Sequence, residues 1–206
     1  MEKEKVYILG GVGVLILGGV LFFAGKLYVM QRNGQEIQAY MQENVAPAPV
    51  PEGYLVTEMQ ASLPAEATTK NIANTANLIV RGKVTTIGEA YSDQLGFVYH
   101  NVIIQPEKFY KNTTQVQQNA DITVKVFGGT KDKEIFRALD APRFAQNEQV
   151  FVFLGKGEKD YYVTYEIFGK LTIKDNKVEG INQEQGRVSE KLSDYEKKVV
   201  EIIGQK

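Results

Sequence analysis

Asp121–Phe127 reads DITVKVF, and in it Ile122, Val124 and Val126 alternate with polar residues. A period of two puts one face of a strand in a core and the other toward water, so this stretch predicts a half-buried strand. Working outward, Leu78–Ile87 (LIVRGKVTTI) is rich in β-branched residues. Phe97–Gln105 (FVYHNVIIQ) is a second such run, which Pro106 ends or confines to an edge. Beyond the Gly128-Gly129 loop, Glu134–Leu139 is placed to return antiparallel. Gln149–Leu154 (QVFVFL) is apolar enough for a central strand, and Tyr161–Phe168 and Leu171–Lys174 follow it. Lys174-Asp175-Asn176-Lys177 reads as a tight hairpin, because Asp and Asn tolerate the positive φ such a turn needs. Roughly six to eight short antiparallel strands at this spacing predict a small barrel or sandwich.

Helices flank these strands. A short one is predicted over Glu66–Ala76, with Thr68 or Thr69 capping its start. At the C-terminus Ser193 and Glu196 match a capping box, Tyr195, Val199 and Ile202 form one apolar stripe, and Gly204 fits the stop. That stripe predicts a helix lying on the barrel.

The N-terminus has a different character. Val6–Gly25 is twenty residues without a charge, which as a helix spans about 30 Å, the thickness of a bilayer's hydrocarbon layer. Tyr7 and Tyr28 flank it at interfacial positions. A cleaved signal peptide fits less well: the run is longer than usual, and Phe22 two residues before Ala24 spoils the small-x-small site. The expectation is an uncleaved single-pass signal-anchor in the cell membrane. Lys3 and Lys5 before the span nearly balance Lys26 and Arg32 after it; the amino terminus tips the balance toward N-inside, with the C-terminal domain outside the cytoplasm. Gly11, Gly18 and Gly25 fall seven apart, a smooth stripe that is a candidate packing face for homo-oligomerisation with a second copy or for a membrane partner, although glycine is also simply common in membrane helices. Lys26–Glu43 is polar and reads as a helix leaving the bilayer, and Ala46–Pro51 (APAPVP) as a stiff extended spacer. The expected division is 1–30 anchor, 31–52 polar and Pro-rich tether, 53–187 extracytoplasmic β-barrel domain and 188–206 C-terminal amphipathic helix.

Composition narrows the chemistry. In 206 residues there are 24 basic and 25 acidic side chains, one His, no Cys and no Trp, with 43% apolar residues. The apolar content supports a packed core. The absence of Cys removes disulfides, zinc knuckles and thiol nucleophiles, and one His removes a multi-histidine metal site. A net charge of −1 offers no basic field, so nucleic acid is not an expected partner.

ANLIVRGKV (Ala76–Val84), ITVKVFGGT (Ile122–Thr130), APRFAQNEQVFVFL (Ala141–Leu154) and FGKLTIKDNKV (Phe168–Val178) together resemble a family of uncharacterised secreted or membrane-anchored β-domain proteins of bacteria and archaea. The resemblance covers about half of the chain and implies an OB-like barrel. A remoter similarity is to netrin and tissue-inhibitor-of-metalloprotease modules, which place an RGKV-type strand near their start. Those modules depend on cysteines that this chain lacks, so protease inhibition does not carry over. The nearer resemblance implies no chemistry. The expected fold is thus mainly β: a small antiparallel OB-like barrel or sandwich with flanking helices, preceded by one N-terminal transmembrane helix.

Individual residues offer little catalysis. His100 sits within a predicted strand with no nucleophile motif near it, and reads as an ordinary strand residue. The His-rich C-terminal motif of membrane-anchored OB-type haem chaperones has no counterpart here. Asp175–Gly180 (DNKVEG) has Lys177 where a calcium loop needs an oxygen, and Gly186 where it needs Glu. Gly128-Gly129-Thr130 lacks the Gly-Lys-Ser/Thr of a phosphate loop. Asn112-Thr113-Thr114 is a formal glycosylation sequon, and Lys108–Lys111 (KFYK) reads as a contact patch or as snorkelling lysines. No catalytic residue, cofactor or metal ligand is assigned. The function expected is non-enzymatic binding of an envelope protein or polymer by a membrane-tethered domain. The alternatives are a structural subunit assembled through the glycine stripe, and a hydrolase or transferase using carboxylates that only the fold brings together.

Overall fold

The computed structural model describes residues 28–43, 50–59, 64 and 66–205. The predicted span with Gly11, Gly18 and Gly25 lies outside them, and among the described residues no helix is long and apolar enough to cross a membrane. Residues 28–43 form helix α1. After it come β1 (Leu55–Met59), α2 (Thr69–Thr75), β2 (Leu78–Ile87), β3 (Tyr91–Ser92), β4 (Val98–Asn112), β5 (Ile122–Phe127), β6 (Gly129–Lys131) and β7 (Glu134–Ala138). β8 (Gln149–Lys156), β9 (Tyr161–Val163), a 3-10 turn (Glu166–Gly169), β10 (Lys170–Lys174), β11 (Lys177–Asn182), β12 (Gly186–Lys191) and α3 (Leu192–Gly204) complete the chain.

The fold is mainly β, with five strands closed into a barrel and three helices around it. β2 pairs antiparallel with β4 and β8, β4 with β5, and β9 closes the ring, parallel to β5 and antiparallel to β8. β10, β11 and β12 extend the sheet from the first half of β8, while β1, β7 and β6 form a separate three-stranded sheet. Alternation dictates what fills each layer. Val80, Val84, Val102, Ile104, Val124 and Val152 point into the barrel and leave it filled. On β8, Val150, Val152 and Leu154 face that interior, whereas Phe151 and Phe153 face a second core beneath the helices. A strand buried on both sides reads as a continuous apolar run, which is the character of QVFVFL.

The second core joins the helices to the barrel. Tyr195 of α3 meets the Phe151 ring edge-on at 5.3 Å, so the C-terminal helix lies on the barrel as its stripe predicts. Ile72 of α2 and Ile37 and Met41 of α1 enter the same cluster. Asn33 of α1 donates to the carbonyls of Glu184 (2.6 Å) and Gln183 (3.3 Å), fixing the helix on the β11–β12 turn. That turn needs Gly186: its φ is +72°, and a Cβ there would meet Glu36 Oε2 at 2.5 Å.

Local readings hold in most places. Thr68 caps α2, its side chain accepting from the Asn71 N–H, and Asp175 and Asn176 take φ of 49° and 60° in the β10–β11 hairpin. Other expectations are met in part or corrected. β4 does not stop at Pro106 but runs on to Asn112; beyond Ile104 it pairs with β2 alone, so Pro106 lies on an edge, opposite Gly82 at a register shift, where a residue without N–H is tolerated. The Tyr161–Phe168 strand is only Tyr161–Val163, since Tyr165 and Glu166 adopt φ of 58° and 53° and turn the chain into the 3-10 segment. β7 does return antiparallel after the Gly128-Gly129 loop, on β6, and it also pairs parallel with β1 in the separate sheet. Finally, α3 has no side-chain cap: Leu192 is buried and its N–H donates to the Asn176 carbonyl, so a tertiary bond starts the helix ahead of Ser193.

Candidate functional site

Residues that do not enter the barrel on β4 and β5 form the floor of an open cleft. Tyr99 of β4 and Lys125 and Phe127 of β5 face outward here, the complement of Val98, Val124 and Val126. Tyr99 packs edge-on against Phe127 at 5.3 Å, and Phe97 lies 6.1 Å from the same ring. Lys125 Nζ stands 3.7 Å over the Tyr99 ring and 6.0 Å from that of Tyr91, a cation–π arrangement. One wall is the stretch Ala138–Pro142; the other is the β8–β9 loop with Glu158, Lys159 and Asp160, continued by Tyr162. The cleft has a volume of about 680 Å³, ordinary for a ligand site.

The cleft is charged as well as aromatic. Glu166 sits at its end, and although much of the residue is exposed, its carboxyl is raised to about 7, first by burial and second by Asp140. Asp140 is buried, and its backbone carbonyl accepts from the Ile167 N–H, tying the wall to the 3-10 turn. The Tyr99 phenol is raised by burial, then by Asp93 and Glu166. The consecutive left-handed residues Tyr165 and Glu166 are a conformation non-glycine residues adopt at some cost, and here they aim Glu166 into the cleft.

A smaller cavity of about 190 Å³ lies between α1 and the start of β8, lined by Tyr40, Arg143, Phe144, Glu148, Lys170 and Thr172 among others. Lys170 is nearly buried and bonds Glu148 and, at 2.8 Å, Thr172. Burial pushes its ammonium down, while the Glu148 charge opposes the shift. Thr172 donates to Glu148 Oε1 at 2.5 Å, and the Ala145 N–H donates to Oε2 at 2.9 Å. Each oxygen of Glu148 is thus occupied, and the cluster braces the Pro142–Ala145 loop against β10 rather than presenting a reactive group.

His100 is a β4 residue whose Nδ1–H donates to the Gly128 carbonyl at 2.8 Å. Gly128 and Gly129, with φ of 97° and 138°, turn the chain from β5 into β6. The Asn112 carboxamide closes its own loop, accepting from Thr114 and donating to the Val116 carbonyl. KFYK holds helices: Lys108 and Tyr110 bond Glu196 of α3, and Lys111 caps the carbonyls of Ala73 and Asn74 at the end of α2. Among the described residues no group of His, Asp and Glu is placed to hold a metal ion. The cleft residues come from five separate segments, so no local motif announces them. The one outward signal was the polar face of DITVKVF, which carries Lys125. Compared with protein-family models, with curated proteins and with solved structures, the chain finds no match.

Proposed function

We propose that this chain is a non-enzymatic, membrane-tethered extracytoplasmic binding domain on an OB-like barrel, holding an envelope protein or polymer in the Tyr99–Lys125–Tyr162 cleft. The connectivity of the ring supports the OB-like reading: in chain order its strands pair first with second, second with third, third with fifth, fifth with fourth and fourth with first. In such barrels ligands lie on the second and third strands and against the loop between the fourth and fifth. The observation that carries the proposal is that the cleft occupies this position, on β4, β5 and the β8–β9 loop, while the barrel interior is filled. The anchor and N-inside orientation are proposed from Val6–Gly25.

The test is a pull-down from native membranes with the full-length chain, an anchor-swapped chain and Lys125→Glu. Retention of one component by the first two and its loss from the third is the expected result. Retention that follows only the native anchor would move the function to Gly11, Gly18 and Gly25.

A second reading, a hydrolase, is favoured by one observation: Glu166, half-protonated near neutrality, beside Asp140 in a cleft. A carboxyl that keeps its proton near neutrality suits the general acid of a hydrolase. Release of reducing ends from polysaccharides, abolished in Glu166→Gln, would establish it.

A further inference from the structure

We propose that the cleft takes a neutral glycan, one pyranose ring of which stacks on the outward face of Tyr162. The inference rests on the binding reading above and names its ligand class.

Gly155 and Tyr162 are opposite each other in the β8–β9 pair. A Cβ on Gly155 would lie 2.4 Å from Tyr162 Cζ and 2.5 and 2.6 Å from Cε2 and Oη. An edge-on ring would bring the two flanking atoms nearer than Cζ; with Cζ nearest and the others almost equal, the ring lies face-on over the glycine. One face is therefore pressed against backbone, and the residue as a whole remains 50% exposed. A ring fixed in this way presents its other face as a flat platform with little rotamer entropy left to lose on binding.

The polar groups around the platform select what stacks on it. Lys125 and Lys159 supply donors, and Asp140, Glu158, Asp160 and Glu166 supply acceptors, within one cleft. A polyhydroxylated chain donates and accepts at every unit and satisfies both sets. A polyanion would meet four carboxyls against two ammoniums. A cationic peptide would seek the Tyr99 face, which the Lys125 ammonium already covers at 3.7 Å.

The experiment is titration calorimetry of the full-length chain in detergent with cello-, xylo-, manno- and chitohexaose, with decalysine as the cationic comparison. Binding of at least one hexaose is expected, weakened about tenfold by Tyr162→Ala and retained by Tyr162→Trp, with unchanged melting temperatures. Gly155→Ala, which tilts the ring off its seat without removing it, should weaken binding in the same direction. Hexaose binding that ignores Tyr162→Ala overturns the platform. If no hexaose binds while the membrane pull-down still captures a component sensitive to Lys125→Glu, the glycan assignment falls and the binding reading stands. Decalysine binding in place of the sugars overturns the assignment in favour of a cationic peptide, and a blank in both experiments overturns both readings.

Discussion

Glu196 gathers three donors on the outside of the barrel. From α3 it receives Arg81 Nη1 and Lys108 Nζ, each at 3.0 Å, and the Tyr110 hydroxyl. Its partial burial works to raise its pKa, but the bonds from Tyr110 and Lys108 and the nearby positive charges prevail, and it lies below the usual value. A depressed carboxyl stabilises the fold above its unfolded pKa and loses that contribution as pH falls through the folded value. Glu196→Ala leaves Arg81 and Tyr110 without their shared acceptor and should cost about 2 kcal/mol at neutral pH. In urea melts the gap to the parent should narrow below pH 4; a gap independent of pH would mean that the charge contributes nothing. Glu166 has the opposite sign. With its carboxyl raised from 4.5 to about 7, it binds a proton more tightly folded than unfolded, so its contribution is present below 4.5 and lost as pH rises through 7. Glu166→Gln should therefore melt higher than the parent at pH 8 and alike at pH 4, read by thermal scans at the two pH values.

At the scale of elements, the β2–β4 pair depends on a single missing methyl. A Cβ on Gly82 would lie 2.4 Å from the Gln105 carbonyl oxygen, beside the bulge that admits Pro106. Gly82→Ala must push two central barrel strands apart and should destabilise by about 2 kcal/mol, whereas Gly53→Ala, with open space around it, is felt only through its φ of +81°. A denaturant series on the two variants checks this. The same pair shows what a sequence makes legible. β2 and β5 were readable because alternation or β-branching records which side is buried, and that information is local. Pro106 marks an edge but not the continuation of the strand, which depends on Gly82, 24 positions earlier, and the Ser193 cap goes unused because Leu192 finds a distant carbonyl, that of Asn176. β9 was overextended because nothing in Thr164-Tyr165-Glu166 signals two left-handed residues, which the packing of Ile167 and Phe168 imposes. The cleft follows the same rule: Tyr99, Lys125, Asp140 and Tyr162 converge only through barrel closure.

At the scale of the whole molecule, α1 decides how the barrel is held. The described part of the helix begins three positions after Gly25, the last residue of the proposed span, and Ala46–Pro51 comes after α1 in the chain, not between it and the span. Because Ile37 and Met41 are buried in the core shared with Phe151 and Val199, α1 belongs to the same packed body as the barrel. On the membrane-anchored reading, the distance from bilayer to barrel is then set by the docking of α1 and not by the proline-rich segment that follows α1 in the chain. Ile37→Ala should cost about 3 kcal/mol of that docking. A spin label at Asp175, on the exposed β10–β11 turn, reports the distance to lipid headgroups in reconstituted bilayers. Replacing Ala46–Pro49 by Gly and Ser should leave that distance and its spread unchanged, whereas Asn33→Ala with Ile37→Ala should broaden it. The reverse pattern, in which the proline segment governs the spread and the α1 substitutions do not, would return the role of spacer to Ala46–Pro51.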